Sequence, residues 1–506
     1  MLKLNKCGDY MEYFSKFEWE FLQEDLDLST NYVLKSNLEI SSFESCYLKR
    51  DGDYNLIFEI IGNINRESYD KLQENANVVH FLFENDEECI ILNFCILHNR
   101  LISFNKDTGY KEVTEFKVKH VERTYKNNLN TVDCIKEFYL NSVRYKDIFS
   151  RVTNYYKDEK FLKVREWEED KLNELKGISP KMSAGDHLLL DLDEFSFILQ
   201  DIREFGPKWS NKLCIEYQRQ FNIPSEEIRQ KNREILSFLL GKHLIKVGET
   251  YFDNQNRIIK EIAMLPSFSP RINLKEACKR IEVPAISPNN FPMFNPLEKD
   301  LSRLIDAYLS ENEIDLSYVL EYMTFSTTIP TEHEIIVIGG CLDELADIWF
   351  NSSKSDSVGE LIKKDEFDIL LKECLPIINE KLVNHPDVFK NIHEGYKITG
   401  YQKVKKFLDE VGISQGNAEK KARGYRNISA HGHEMSDETR LKMIYLTDVY
   451  RTFLNRIILK ILGFEVYFDL TNYMNIQIGD HLPNNIFKKN YTEIKKFYDD
   501  LKKNGE

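Results

Sequence analysis

The chain has 506 residues, a formal net charge of −15 at pH 7, and 42% hydrophobic residues that include 32 Phe and 26 Tyr. That length exceeds one small core and points to two or three domains, and the apolar content excludes a disordered chain. The charge excludes a protein that coats nucleic acid through bulk electrostatics, so any such contact must be a local basic patch on an acidic body.

The opening stretch MLKLNKCGDYMEYF holds no apolar core of signal-peptide length, and no later segment approaches a membrane span. Nine cysteines, an odd number without a CxxC pair, read as free thiols of a reducing compartment rather than a zinc site. The expectation is a soluble, cytoplasmic protein that makes no membrane contact.

In chain order, runs rich in β-branched and aromatic residues predict strands at 54–61, 78–83 and 89–97, with turn chemistry at Asp51-Gly52 and Asn85-Asp86. Further strands are expected at 116–121, 187–192 and 258–264. Helices interrupt around 155–175 and over 224–240, where Pro224, a capping Ser225 and the acids Glu226 and Glu227 mark a helix start. Residues 1–265 therefore read as a mostly-β domain with helical insertions. Six of the thirteen prolines fall within 266–296, a density no helix interior or central strand tolerates, so this segment reads as a linker.

From 297 the periodicity becomes helical, over 297–308, 332–350, 364–382, 400–410, 417–430 and 437–462. In the last, Ser436 is a candidate N-cap before Asp437 and Glu438. Leu446, Val449, Phe453, Ile457 and Ile461 recur at helical spacing, and Gly463 can stop the run. The tail NYTEIKKFYDDLKK is a further amphipathic candidate. Residues 297–506 thus read as an all-α helical bundle, and the whole chain as an α+β multidomain protein.

Residues 422–434, ARGYRNISAHGHE, carry the chemistry. Arg426 and His431 stand five apart, about 140° around a helix, so they act together only if the helix ends between them or another element completes the site. Gly432 can end it, leaving His431 at a helix C-terminus. Cleaving RNA through its own 2′-hydroxyl needs groups that take and give protons near neutral pH, and positive charge on the phosphorane-like transition state. Histidine suits the first task, arginine the second, and Asn427 can add a hydrogen bond. No metal or other cofactor is required, and the His431-Gly432-His433 pair has no third ligand near it in sequence. A two-fold dimer would supply two such pairs. The bland alternative is an arginine salt-bridged on a helix surface beside a capping histidine.

Around this stretch, Lys397, Lys403, Lys405, Lys406, Lys420, Lys421, Arg423 and Arg426 face only Asp409, Glu410 and Glu419, a local net charge of +5 (8 − 3). That is the patch an acidic RNA-binding protein would need, or else an ordinary solvated helix face.

RNISAHG resembles the Arg-polar-x(3–5)-His signature of HEPN domains, α-helical modules many of which are metal-independent ribonucleases. RTFLNRIILKILGFEVYF is similar to the closing helix and glycine–aromatic exit of ApeA-like HEPN proteins, a bacterial phage-defence group. VIGGCLDELADIWF resembles the HEPN helix that carries an acid near the site, and REILSFLLGKHLIKVGETYF resembles part of the group's β-rich N-terminal domain. The resemblance spans the whole chain at domain level and is specific over about 423–468. It implies that Arg426 binds the scissile phosphate, His431 transfers protons, Asn427 orients the phosphate, and Asp343, rather than its neighbour Glu344, is the acid. It also implies an endoribonuclease of abortive infection that cuts host RNA, with tRNA an attractive target. A homodimer would form through the HEPN domain, and the N-terminal domain would sense a phage product or restrain the nuclease. Two other readings stand beside it. One is an inactive HEPN module for binding or dimerisation. The other is a carbohydrate-active enzyme on the β domain, using Asp191 and Asp193 on one strand face.

Overall fold

The structure is a computed structural model that describes residues 22, 25–29, 31–36, 40–64, 79–105, 109–126, 131–144, 148–149, 154–157, 161–164, 187–202, 206–255, 257–266, 273–287, 296–355, 362–382, 399–430, 437–471 and 474–482. It is a mixed α+β molecule, with its strands mostly before residue 265 and its helices mostly after it. Two compact units divide the chain. One holds Met1–Arg233, Lys242–Glu282 and Pro288–Asp306, and the other holds Glu234–Gly241, Val283–Ser287 and Ala307–Glu506.

In the first unit, thirteen of the described strands form one antiparallel sheet. Its hub is the long strand Gly109–Tyr125, paired along one edge with Glu88–Asn105. Two strands share the opposite edge. Leu56–Ile64 pairs with residues 113–118, and Ile258–Met264 pairs with residues 120–124, so the sheet forks there. One arm continues through Ile40–Arg50 to Leu26–Asp27. The other continues through Ile245–Asp253, Val132–Leu140, Lys212–Gln218 and Ser196–Ile202 to His187–Asp191. Strand Val79–Glu84, which pairs with Glu88–Asn105, buries every second residue, as a sheet with one covered face requires. Phe58 gathers Phe81, Phe83 and Phe116 at ring-centroid distances of 4.8, 5.5 and 6.2 Å to form that arm's core. Phe138, Leu140, Ile245 and Val247 form a second core with Leu274 and Cys278.

Helix α1 (Glu226–Leu240) starts as the sequence indicates, with the Ser225 hydroxyl accepting from the Ile228 N–H at 3.4 Å. Within the proline-dense segment lies α2 (Leu274–Cys278), capped by Asn273, and α3 (Pro296–Ser310) opens on a proline, where a missing N–H costs nothing. Residues 154–157 and 161–164 form a two-stranded antiparallel ladder where a helix around 155–175 was expected. Asn154-Tyr-Tyr and Phe161-Leu-Lys-Val favour strands locally, and the lysines and acids between them imitate a polar helix face. Residues 165–175 lie outside the described part.

The second unit contains α4 (Ser317–Ser326), α5 (Thr331–Asn351), α6 (Lys364–Leu382), α7 (Gly400–Val411), α8 (Asn417–Ala430) and α9 (Asp437–Ile461). Leu446, Val449, Phe453 and Ile457 of α9 are fully buried, as their spacing predicts. Helix α9 ends at Gly463, whose φ of +72° lets Phe464 N–H reach back to the Leu459 carbonyl at 2.8 Å. The region is not all-α. Val466–Asp469 and Met474–Gln477 form an antiparallel hairpin, in which Tyr467 and Phe468 are buried and the first strand packs on α9. A Val-Tyr-Phe run after a helix-stopping glycine is strand chemistry that the periodicity of α9 had masked. Among the described residues, no helix is long and apolar enough to cross a membrane.

Candidate functional site

Helices α5, α8 and α9 pack against one another, and their sequences explain how. On α5, Ile335, Ile338, Leu342, Leu345, Ala346 and Trp349 are buried at helical spacing. That leaves Gly340, Asp343, Glu344 and Asp347 on the outer side, partly or fully exposed. Helix α8 is pinned at its start. Glu419 accepts from the Gly416 N–H at 2.6 Å and pairs with Arg456 of α9 at 3.3 Å, with both side chains fully buried. Arg456 also donates to the carbonyls of Ile478 (2.7 Å), Ser414 (3.1 Å) and Gly479 (3.2 Å), satisfying a charge that could not otherwise be buried. Glu419, counted against the basic patch in the sequence, is therefore internal, and Arg456 balances it.

Two turns beyond Glu419 on the same face stands Arg426. Its Nη1 donates to Asp343 Oδ2 at 2.5 Å, with the arginine side chain 32% and the carboxylate 49% exposed. Asp343, not Glu344, meets the arginine. Glu344 belongs to the surroundings of Tyr318, whose ring lies 4.2 Å from that of Tyr322. One turn along α5 from Asp343, Asp347 pairs with Lys403 of α7. Two cations from two helices thus dock on successive acids of one helix face.

The shaft of Arg426 lies directly over Gly339. A Cβ built there would meet Arg426 Nε at 2.7 Å, with Cδ nearer still, closer than real Cβ atoms approach, and would crowd Cγ at 3.0 Å. From α9, the buried Tyr450 lies within electrostatic reach of Arg423, Arg426 and Asp343. Burial pushes its phenol well above the ordinary range, the two arginines pull it down, and Asp343 pushes it up. Gly339 and Tyr450 were not picked out from the sequence. The only signal for the first was a Gly-Gly pair inside a helix, where each glycine costs about 1 kcal/mol against alanine. Tyr450 looked like one more core residue of α9.

Helix α8 runs through Ala430. His431, Gly432, His433 and Ser436 lie outside the described residues, as does the side chain of Asn427. Of the basic residues, Lys405, Lys420 and Lys421 are exposed and Lys406 is half-buried. Arg423 donates to Gln415 Oε1 at 2.9 Å and lies 5.4 Å from the ring centroid of Tyr401, itself 70% exposed. The acid Glu410 accepts from Trp349 Nε1 and from the Ser355 hydroxyl, both at 2.8 Å.

Asp191 and Asp193 do not share a strand face. The strand ends at Asp191, which accepts from the Ser196 hydroxyl across the turn, and Asp193 sits in the turn itself. Among the described residues, no three His, Cys, Asp or Glu side chains group closely enough to hold a metal ion.

The cation of Arg426 therefore reaches the surface, held among the described residues by one half-exposed carboxylate. Phosphate can replace a carboxylate on a guanidinium fork, because both present two coplanar oxygens to two N–H donors. No family model, curated protein or solved structure matches this chain.

Proposed function

We propose that this chain is a HEPN-type, metal-independent endoribonuclease of the ApeA-like group, acting in bacterial defence against phage. The observation that carries this reading is the Arg426–Asp343 pair. It joins the arginine of the RNISAHG stretch to the acid that the resemblance assigned, 83 residues away in the chain. Exposed Lys420 and Lys421 on the same helix, and Lys405 on α7, add the positive charge that a polyanion needs on an acidic protein.

In this mechanism the RNA phosphate takes the guanidinium fork of Arg426 and displaces Asp343, which holds the arginine ready in the unliganded protein. The 2′-oxygen of the preceding nucleotide loses its proton and attacks phosphorus, and the bond from phosphorus to the 5′-oxygen breaks. The products are a 2′,3′-cyclic phosphate and a 5′-hydroxyl. His431 moves a proton at one of the two oxygens, and Asn427 orients the phosphate. A homodimer that brings two Arg426–His431 sets together supplies the second acid–base group. The β-rich part acts as sensor or restraint, and the RNA target is host RNA, with tRNA a candidate.

The test is incubation of wild type, Arg426→Ala and His431→Ala with total bacterial RNA in EDTA, with and without extract of phage-infected cells. Cleavage by wild type alone, leaving cyclic phosphate ends, supports the reading, and each variant should lose about 100- to 1,000-fold in rate. Equal cleavage by all three removes both residues from catalysis. Silence under both conditions moves the reading to a binding or dimerisation module, which the existing Arg426–Asp343 pair also suits.

A further inference from the structure

Helix α5 carries adjacent glycines in its interior, Gly339 and Gly340, and the structure separates their roles. Around Gly340 nothing lies within 4 Å of an added Cβ, whereas at Gly339 the same atom would enter the Arg426 side chain. An interior helical glycine lacks the rotameric and solvation advantages of alanine and loses more backbone freedom on folding. At Gly340 alanine would fit without hindrance. At Gly339 it would not, and the colliding partner is the arginine rather than the packing of the bundle.

We propose that Gly339 is a positioning residue for Arg426. Its missing Cβ opens the channel through which the arginine shaft crosses α5 to place its guanidinium beside Asp343. The Arg426 backbone is anchored through Glu419 and Arg456, and its head is anchored by Asp343 one turn beyond Gly339. A Cβ at 339 would have to move the shaft, and the guanidinium would leave the surface position in which a phosphate oxygen could meet it. The geometry stands on distances alone. Its consequence for catalysis rests on the ribonuclease reading.

The test uses the full chain with Gly339→Ala and Gly340→Ala, each made on the Arg426 background and on the Arg426→Ala background. Thermal melting is read for all of them. Cleavage of a defined oligoribonucleotide in EDTA, with KM and kcat separated, is read for those that retain Arg426. Gly340→Ala should raise the melting temperature by about 2–4 °C on both backgrounds and leave cleavage unchanged. Gly339→Ala should give that rise only where Arg426 is already alanine. With Arg426 present, the rise should vanish or reverse, and kcat should fall about 100-fold with KM little changed, because the guanidinium is displaced rather than removed. Equal stabilisation by Gly339→Ala on both backgrounds, with kcat intact, would overturn the proposal. If wild type cleaves nothing but the melting coupling between positions 339 and 426 persists, the positioning role stands and the nuclease reading fails alone.

Discussion

Two charge clusters, one in each unit, are built in opposite ways. In the first, Glu137 is buried under three donors: Arg229 Nε at 3.0 Å, Lys246 Nζ at 2.7 Å and the Tyr139 hydroxyl at 2.7 Å. Arg229 and Lys246 also pair with Glu249, which accepts from Tyr251 as well. Burial pushes the Glu137 carboxyl up, yet Lys246 and Arg229 outweigh that and hold it below the usual carboxylate range. In the second unit, Arg426 pairs among the described residues with one carboxylate, and both groups of that pair reach solvent. A charge network closed on every side fixes a structure, whereas a single half-exposed pair can exchange its partner for a ligand. That contrast, more than any count of charged residues, directs attention to α8.

Removing one carboxylate from each region puts the contrast to its strongest test. Glu137→Ala leaves two buried cations to share Glu249 and should cost about 3–5 kcal/mol in denaturant unfolding of the first unit. A loss below about 1 kcal/mol would mean that water already reaches the network.

Asp448 of α9 sharpens the comparison within the second unit. Burial, reinforced by Glu334 and Asp469 and opposed by Arg451, pushes its carboxyl up to about 7. Since the folded pKa lies above the unfolded one, the folded chain holds a proton that the unfolded chain releases between about pH 4 and pH 7. The stabilisation is complete at the acid end of that window and is lost as pH rises through about 7. Asp448→Asn should flatten this slope and raise stability at pH 8 by about 1–2 kcal/mol. An unchanged slope would place the titration elsewhere.

The smallest effect is expected at the candidate site. Asp343→Ala should change stability by only about 0–1 kcal/mol, because the pair it breaks is solvated. In an RNA-binding titration the same variant should show a higher affinity if Asp343 competes with phosphate for Arg426. A loss of several kcal/mol of stability would make the pair a structural element and erase the contrast.

How much of this was legible depends on how local the signals are. The helices at 364–382, 400–411 and 417–430 follow from periodicity, and the structure adds the Thr399 and Gly412 caps of α7. Strand 212–218, buried on both faces, shows no alternation, and α4 has too weak an apolar stripe, so periodicity marks neither. At the site, Arg426 and Asp343 could be named from the sequence, while Gly339 and Tyr450 could not. Their roles depend on which helices lie side by side.

The sequence by itself determined the division into strand-rich and helix-rich parts, the helix stop at Gly463 and the local basic patch, because periodicity, caps and charge act over a few residues. Only the tertiary structure decided that Glu419 is internal, that Lys403 is committed to Asp347, and that Arg426 crosses a glycine to reach Asp343. Those facts follow from close packing, in which a single missing Cβ decides where a distant side chain can lie.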